Sequence, residues 1–534
     1  MRTTYFWKAT HEPEHGARYV SISRQSLRGA EGMEKYPALM PDWKLINLAH
    51  EMGYSEKCFE VYKKEYFSQL KNLDAEKVYQ ELKDCVIVCF ESPKDIVSGK
   101  KFCHRRMVAG WIETELGIVV PEEVTPDYDA RTVTVRVHTA KPGGAVNLWA
   151  MVRAGGVTIA EDWGSDEADQ DGEVTLNIPE EHFFPWSPDT PFLYDLTVGT
   201  TQGEEEGFDT VHSYFALRKW SCAPDARGVL RFCLNDQPIL LNGLLDQGYW
   251  PEGLYTPPSD AAVERELSEV KALGFNLLRK HAKIEPQRWY YHCDKLGLIV
   301  WQDLVNGGSA YKLWFVTYLT NALQPLLRRL PDAKPLWGLL SREKPSAREE
   351  YRRELEATVQ ALRCHPCVGC WVPFNEGWGQ FDAAGAVDAL RTLDPTRPVD
   401  EASGWYDQGG GDVHSLHNYF YPLRVRPRSR TVALTEYGGI AWPMPGHEPP
   451  RRTYGYGTAK DRADLTARYK KLQMGTVLPQ LAKGLSALVY TQLTDVEDEV
   501  NGLFTYDRAA VKPDPNAVRS VNAALAAEFA QVTR

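Results

Sequence analysis

From about residue 235 onward, short apolar runs and amphipathic stretches alternate without a break, and this restricts the fold more than any other feature of the chain. The apolar runs are "PILLNGL" (238–244), "FNLLRKH" (275–281), "LIVWQDL" (298–304), "VGCWVPFNEG" (368–377), "RPVDEASG" (397–404), "DVHSLHNY" (412–419), "TVALTEYGG" (431–439) and "LSALVYTQLTD" (485–495). Helical patterns such as "SDAAVERELSEVKALG" and "SAREEYRRELEATVQALR" separate several of them. Eight strand–helix units over roughly 300 residues predict a (β/α)8 barrel, in which a parallel sheet closes on itself inside a ring of helices. Long connections fall at about 305–345 and 440–465, and loops of that length in a compact domain tend to carry function.

Two other textures precede the barrel. Residues 122–220 hold closely spaced alternating runs, among them "RTVTVRVHTA", "VNLWAMVRAG", "GEVTLNIP" and "FLYDLTVGT", broken by Gly, Asp and Pro. That spacing predicts a β-sandwich of immunoglobulin-like type. Residues 1–121 mix strand and helix signals, with "CVIVCF" as a buried parallel strand and an amphipathic helix through Met107, Val108, Trp111, Ile112 and Leu116. They read as a small α/β domain. The whole is therefore expected to be multidomain α/β: 1–121 small α/β, 122–220 sandwich, 221–534 TIM barrel.

A formal net charge of −11 argues against general nucleic-acid binding, which needs a basic footprint. The N-terminal stretch lacks the apolar core of a signal peptide and no window is long enough to span a bilayer, so a cytoplasmic location and no membrane partner are expected. Cys364, Cys367 and Cys370 form a C-x-x-C-x-x-C pattern, but no fourth Cys follows nearby and strand alternation would aim the thiols at different faces.

In such barrels the chemistry sits where the strands end. The strand ends supply Asp246, then Arg279 and His281, Asp303, Asn375 and Glu376, Asp400 and Glu401, His414, His417 and Tyr419, Glu436, and finally Gln492 and Asp495. Trp301, Trp378 and Trp442 are close in sequence to this rim. Glu376 and Glu436 end apolar strands on opposite sides of the predicted mouth. Two carboxyl groups facing each other across a cleft are what hydrolysis of a glycosidic bond requires, one protonated and one ionised.

The residues also carry a family resemblance. "WVPFNEGWG" resembles the acid/base motif and "LTEYGG" the nucleophile motif of glycoside hydrolase family 2. Further matching stretches are "YFALRKW", "LNDQPILLNGLLDQGYWPEGLYT", "KALGFNLLRKHAKIEPQRWYYHCDKLGLIVWQDL", "RCHPCVGCW" and "LVYTQLTDVEDEVNGLFTYDR", and "WSPDTPFLYDLTV" is similar to the end of the family's immunoglobulin-like domain. The likeness covers about 122–534 and makes the cysteine pattern incidental. It implies a retaining exo-β-glycosidase of β-galactosidase or β-glucuronidase type, acting on carbohydrate and using no metal or organic cofactor. Glu436 would be the nucleophile and Glu376 the acid/base. Arg279 would hold the charge of Glu436, Tyr419 would orient it, and Asn375 would bind the sugar 2-OH. Asp246, His281, Asp303, His417, Trp442 and Gln492 are further candidate substrate contacts.

The family's usual jelly-roll domain has no counterpart before the sandwich. Residues 1–121 instead resemble the domain-of-unknown-function 488 family, through "YVSISRQ", "VIVCFESP" and "FCHRRMVAGWIETELGIVVPE". Cys103, His104 and Arg105, where a turn enters a helix, are a candidate anion site, the alternative being that they only cap the helix. A barrel face left without its jelly roll would be apolar and would favour homo-oligomers. A second reading stays open: a non-catalytic or vestigial carbohydrate-binding fusion whose N-terminal domain carries the activity.

Overall fold

A computed structural model describes residues 2–5, 18–23, 33–52, 56–73, 75–82, 85–89, 107–108, 120–138, 146–166, 172–201, 208–447 and 453–534. Among them, no helix is long and apolar enough to cross a membrane.

The barrel region is built on a seven-stranded parallel sheet. In spatial order its strands are Val368–Val372, Ile299–Asp303, Leu277–Lys280, Leu241–Asp246, Leu485–Thr491, Thr431–Gly438 and Val413–Asn418. Nearly every residue in them is buried, as a parallel sheet covered by helices requires. The helices come from the amphipathic stretches. Ser259 caps Asp260–Ala272 by accepting from the Ala262 amide, and Pro345–Leu362 turns Tyr351, Leu355, Val359 and Leu362 inward.

The fifth predicted strand, 397–404, is not a regular ladder strand. It touches Val368–Val372 through a bridge between Trp371 and Val399, and Asn375 bridges Ser403. On its other side the Asp412 amide donates to the Val399 carbonyl at 2.8 Å. Side chains replace the missing ladder: Asp412 accepts from the Val399 amide, and Glu401 accepts from the amides of Gln408 and Gly410. Acidic side chains that bond nearby backbone in this way compete with sheet pairing. The segment still lies between the two edge strands, hydrogen-bonded to both sides.

Two antiparallel sheets precede the barrel, one of Val120–Asp127, Thr132–His138 and Gly172–Asn177, the other of Phe208–Phe215, Tyr194–Thr201, Val146–Ala154 and Val157–Asp166. Val133, Val135, Val137, Leu148, Val152, Val174 and Leu196 form one core between them. This pair of sheets is fastened to the barrel by Asp294. Its backbone oxygen accepts from the Trp186 indole at 2.8 Å, and its carboxylate accepts from Tyr214 at 2.7 Å and lies 2.8 Å from His365. Burial alone would depress the His365 pKa, but the bond to Asp294, the Asp294 charge and the interactions with Cys364 together lift it to about 9. The "RCHPCVGC" run is thus a docking brace. Cys364 is exposed while Cys367 and Cys370 are buried, and none of the three joins a metal-ligand cluster among the described residues.

Near the N-terminus, Arg2–Tyr5, Cys85–Cys89, Arg18–Ser21 and Glu34–Lys35 form a separate parallel sheet. Val20, Ile22, Tyr62, Tyr66, Leu70 and Leu82 pack its core together with Met107 and Val108. Cys103, His104 and Arg105 lie outside the described residues.

Candidate active site

The strand Thr431–Gly438 is out of step with its neighbours just where the polar residues begin. Leu434 pairs with Leu416, but the next pair is Glu436 with His417, so Thr435 is an extra residue. Such a bulge re-aims the side chains that follow it. It places Glu436 in the mouth of the sheet, 5% exposed. On the facing side the chain leaves Val368–Val372 and turns at Glu376, whose φ is 51°, with Gly377 at 69°. A left-handed backbone at a non-glycine residue costs of order 1–3 kcal/mol and persists where surrounding contacts impose it. Here the imposing contact is the Glu376 amide, which donates to the Ser403 carbonyl at 2.9 Å.

The two carboxylates meet across His417. Its Nδ1 lies 3.0 Å from Glu376 Oε1 and 3.6 Å from Glu436 Oε2, and the three nearest ligating atoms are all within 4.8 Å of one another. His417 can approach this closely because residue 404 is glycine: a Cβ there would stand 2.4 Å from the imidazole, at a φ of +88°. His417 Nε2 lies 3.1 Å from Ser403 Oγ. Burial drives the His417 pKa down to about 4, so the ring is neutral near pH 7. With Nε2–H donating to Ser403, Nδ1 is left as an acceptor, a tautomer assigned from the network.

Glu436 is held by donors. Arg279 Nη1 reaches its Oε1 at 3.2 Å and the Tyr419 hydroxyl its Oε2 at 2.8 Å. Burial, and then the Glu436 charge, push the Tyr419 pKa well up, so it stays a protonated donor. Arg279 is fully buried and uses its whole guanidinium: Nε and Nη2 to Asp303 at 2.9 and 3.0 Å, Nη1 also to the Thr435 carbonyl, and Nη2 to Asn375 Oδ1 at 2.8 Å. That last bond fixes Asn375 with its amide nitrogen free to donate. Glu376 differs. Burial raises its pKa, opposed by the charges of His281 and Arg279 and by a bond from the Trp378 side chain.

The other sequence candidates divide between this network and separate contacts. His281 Nδ1 lies 3.0 Å from Asp303 Oδ2, and although burial opposes it, that bond raises the His281 pKa. Gln492 joins Gln247, Glu499 and Asn501. Trp442, in the loop after the Glu436 strand, packs with Ala459 and with Leu465 of the helix Arg462–Leu472. Asp246 stands apart, with its oxygens taken by Lys280 at 2.5 Å and the Gly248 amide at 2.8 Å. Trp301 is core, with its ring 5.3 Å from that of Phe232. The sequence reading passed over Ser403 and Tyr456. The Tyr456 ring stacks on Tyr419 at 3.6 Å and 10°. Its loop is marked in the sequence by its length, but nothing there singles out the residue.

Residues 231–443 match the family model "Glycosyl hydrolases family 2, TIM barrel domain". The matched span contains both Glu376 and Glu436. The β-galactosidase of Leuconostoc mesenteroides is 23% identical over 304 residues, 55% of this chain and 26% of that protein. A β-galactosidase of Enterobacter cloacae is 26% identical over 264 residues, 49% of this chain and 22% of that protein. The chain thus matches about a quarter of the length of these curated relatives. Among solved structures, the FMN-binding β-glucuronidase of Facaelibacterium prausnitzii superposes with a TM-score of 0.57 at 16% identity, covering 76% of this chain and 61% of that one.

Proposed function

We propose that this protein is a retaining exo-β-glycosidase in which Glu436 is the nucleophile and Glu376 the acid/base. The observation that carries this reading is the separation of the two carboxylates, whose nearest oxygens lie within 4.8 Å. Retaining enzymes hold the pair about 5–5.5 Å apart so that one can attack carbon directly, whereas inverting enzymes need about 6.5–9.5 Å to admit a water. The family match over the barrel supports the reaction class.

In the first step a Glu436 oxygen bonds to the anomeric carbon as the bond to the leaving oxygen breaks. Glu376, whose raised pKa favours its protonated form, passes its proton to that oxygen. Arg279 and Tyr419 hold Glu436 in line, and Asn375 Nδ2 donates to the sugar 2-OH. In the second step Glu376 removes a proton from water, the water oxygen bonds to the anomeric carbon, and Glu436 is released. Glycosylation removes the charge on Glu436, so the Glu376 pKa falls and suits it to act as base.

The β-sandwich and the small N-terminal sheet correspond in this proposal to the immunoglobulin-like and domain-of-unknown-function 488 units, at 122–220 and 1–121. His281, Asp303 and His417 frame the sugar site, while Gln492 and Trp442 support its wall. A panel of aryl β-glycosides tests the reading, with β-galactosides and β-glucuronides first. Hydrolysis with retention, seen by NMR of the first-formed sugar, is expected. An inverted product, or full activity in Glu436→Gln, overturns it.

A further inference from the structure

A cavity of about 280 Å³ lies in the seam between the barrel and the paired sheets that precede it. Its walls come from the strand Val120–Asp127, from the linking run "YFALRKW", and from the chain just past the helices Pro345–Leu362 and Ala383–Leu393. Residues 363–366 lead into the strand Val368–Val372, and the far end of that strand leads to Glu376, so the cavity is at the opposite end from the carboxylate pair. Three arginines, Arg218, Arg363 and Arg397, and two carboxylates, Glu123 and Asp394, line it. Two of the arginines are fully engaged. Arg397 binds Asp394 at 2.6 Å and the carbonyls of Val368, Arg363 and His365 at 2.7, 2.8 and 2.8 Å. Arg363 meets Glu123 at 2.9 Å and the Leu393 carbonyl at 3.4 Å. These bonds also answer carbonyls at the helix ends, which would otherwise repel an anion. Arg218 differs. Its Nε donates to the Pro366 carbonyl at 3.3 Å, and among the described residues neither Nη nitrogen has an acceptor. Burial and then the Arg397 charge push its pKa down to about 9, outweighing the attraction of Asp394. A guanidinium with both prongs free at a cavity is arranged to receive two oxygens of one group.

We propose that this seam binds a small oxyanion, a phosphate group or a carboxylate, with two of its oxygens on Arg218 Nη1 and Nη2 and its charge shared with Arg363. Arg363 can turn toward such a ligand without stranding Glu123, because Glu123 is also held by Arg136 at 3.4 Å. The three lining arginines exceed the two lining carboxylates by one charge, which the ligand neutralises. The proposal rests on the seam alone and is independent of the reaction assigned to the strand ends. An anion there fastens the linking run to the barrel beside the Asp294 brace.

The exposed thiol of Cys364 lines the same cavity and reports on its occupancy. The full chain is alkylated with N-ethylmaleimide, an uncharged reagent, in inorganic phosphate, glycerol 3-phosphate or acetate, each compared with sodium chloride at matched ionic strength. Modification of Cys364 is followed by peptide mass spectrometry. Saturable slowing is expected, roughly tenfold when the free anion stands at ten times its dissociation constant. Slowing by inorganic phosphate alone assigns the free ion, by glycerol 3-phosphate a phosphate ester, and by acetate a carboxylate. In Arg218→Gln the protection should vanish. Where Arg218→Gln does not fold, Arg218→Lys takes its place: it keeps the charge, loses the fork, and should need more anion for the same protection. Equal rates in wild type in chloride and in every oxyanion overturn the proposal, as does protection that the Arg218 variant leaves unchanged.

Discussion

Two carboxylate clusters lie at neighbouring strand ends of the same sheet, and they have opposite electrostatic designs. In one, Asp246 and Glu285 are matched by Lys280 and Lys283, with contacts of 2.5, 2.9 and 2.7 Å and every side chain no more than 2% exposed. In the other, Arg279 serves both Asp303 and Glu436, so Glu376 is left against a neutral imidazole. The second is also the more open, with the Glu376 side chain 19% exposed. Compensation separates them further: the first cluster has as many cations as anions and is closed, while the second leaves one carboxyl able to take up or release a proton. Uncompensated burial is what tunes a carboxyl group toward acid catalysis.

The sharpest way to break this comparison is to remove the nucleophile. Glu436→Gln should lower kcat by at least roughly four orders of magnitude, more than about 5 kcal/mol of barrier, measured on an aryl glycoside. Azide added to Glu436→Ala should give an inverted glycosyl azide. If Glu436 were only a rim charge like those of the closed cluster, the variant would keep most of its rate.

Removing Glu376 should cost less, about 10²–10⁴-fold, and the cost should depend on the leaving group. Glu376→Ala should hydrolyse a dinitrophenyl glycoside far better than a phenyl glycoside, because a good leaving group needs no proton. A uniform loss across leaving groups would contradict the acid role.

The difference between the clusters could not be read from the sequence. Asp246 and Glu376 both end apolar strands near glycines and aromatics, and periodicity marks both as rim carboxylates. The strands themselves were legible because parallel, buried strands are continuous apolar runs: Ile299–Asp303 and Val368–Val372 lie within the expected spans. The irregular fifth segment was not, since it depends on Asp412 and Glu401 bonding backbone in place of a ladder. Nor was the bulge at Thr435, which depends on register with the next strand. The pairing of Glu376 with Glu436 was legible through motif resemblance. The neutral His417 between them follows from burial, which has no signature in a single chain.

The closed cluster gives the next test. Asp246→Asn keeps the shape and the Gly248 bond but leaves Lys280 less compensated, and should cost about 3 kcal/mol of stability, read from the urea midpoint of the barrel transition. The folded variant should retain hydrolysis within a few-fold. The Asp246 pKa is lowered in the folded state, because its lysine partners outweigh the burial that opposes them. Its contribution is therefore present above the unfolded carboxylate value near 4 and is lost as pH falls through the folded value. Wild type and Asp246→Asn should thus converge in stability in acid. A large loss of kcat at unchanged stability would move Asp246 into the catalytic cluster.

The smallest effect concerns His417, and it tests whether a neutral ring helps to keep Glu376 protonated. With Nε2–H bound to Ser403, Nδ1 accepts the proton that Glu376 carries. A hydrogen bond made to the protonated form disfavours ionisation, so it adds to the upward push of burial on the Glu376 pKa. The acid must be protonated for the first step, so kcat/KM should fall as pH rises through that pKa. In His417→Ala the acceptor is gone and water enters its place. Both changes favour the carboxylate, and the basic limb of the pH profile should move to lower pH while the rate at its optimum changes little. His417→Asn, which keeps an acceptor, should restore part of the shift. A basic limb that stays put in His417→Ala would mean that burial alone sets Glu376, and one that moves up would mean that His417 acts as a cation.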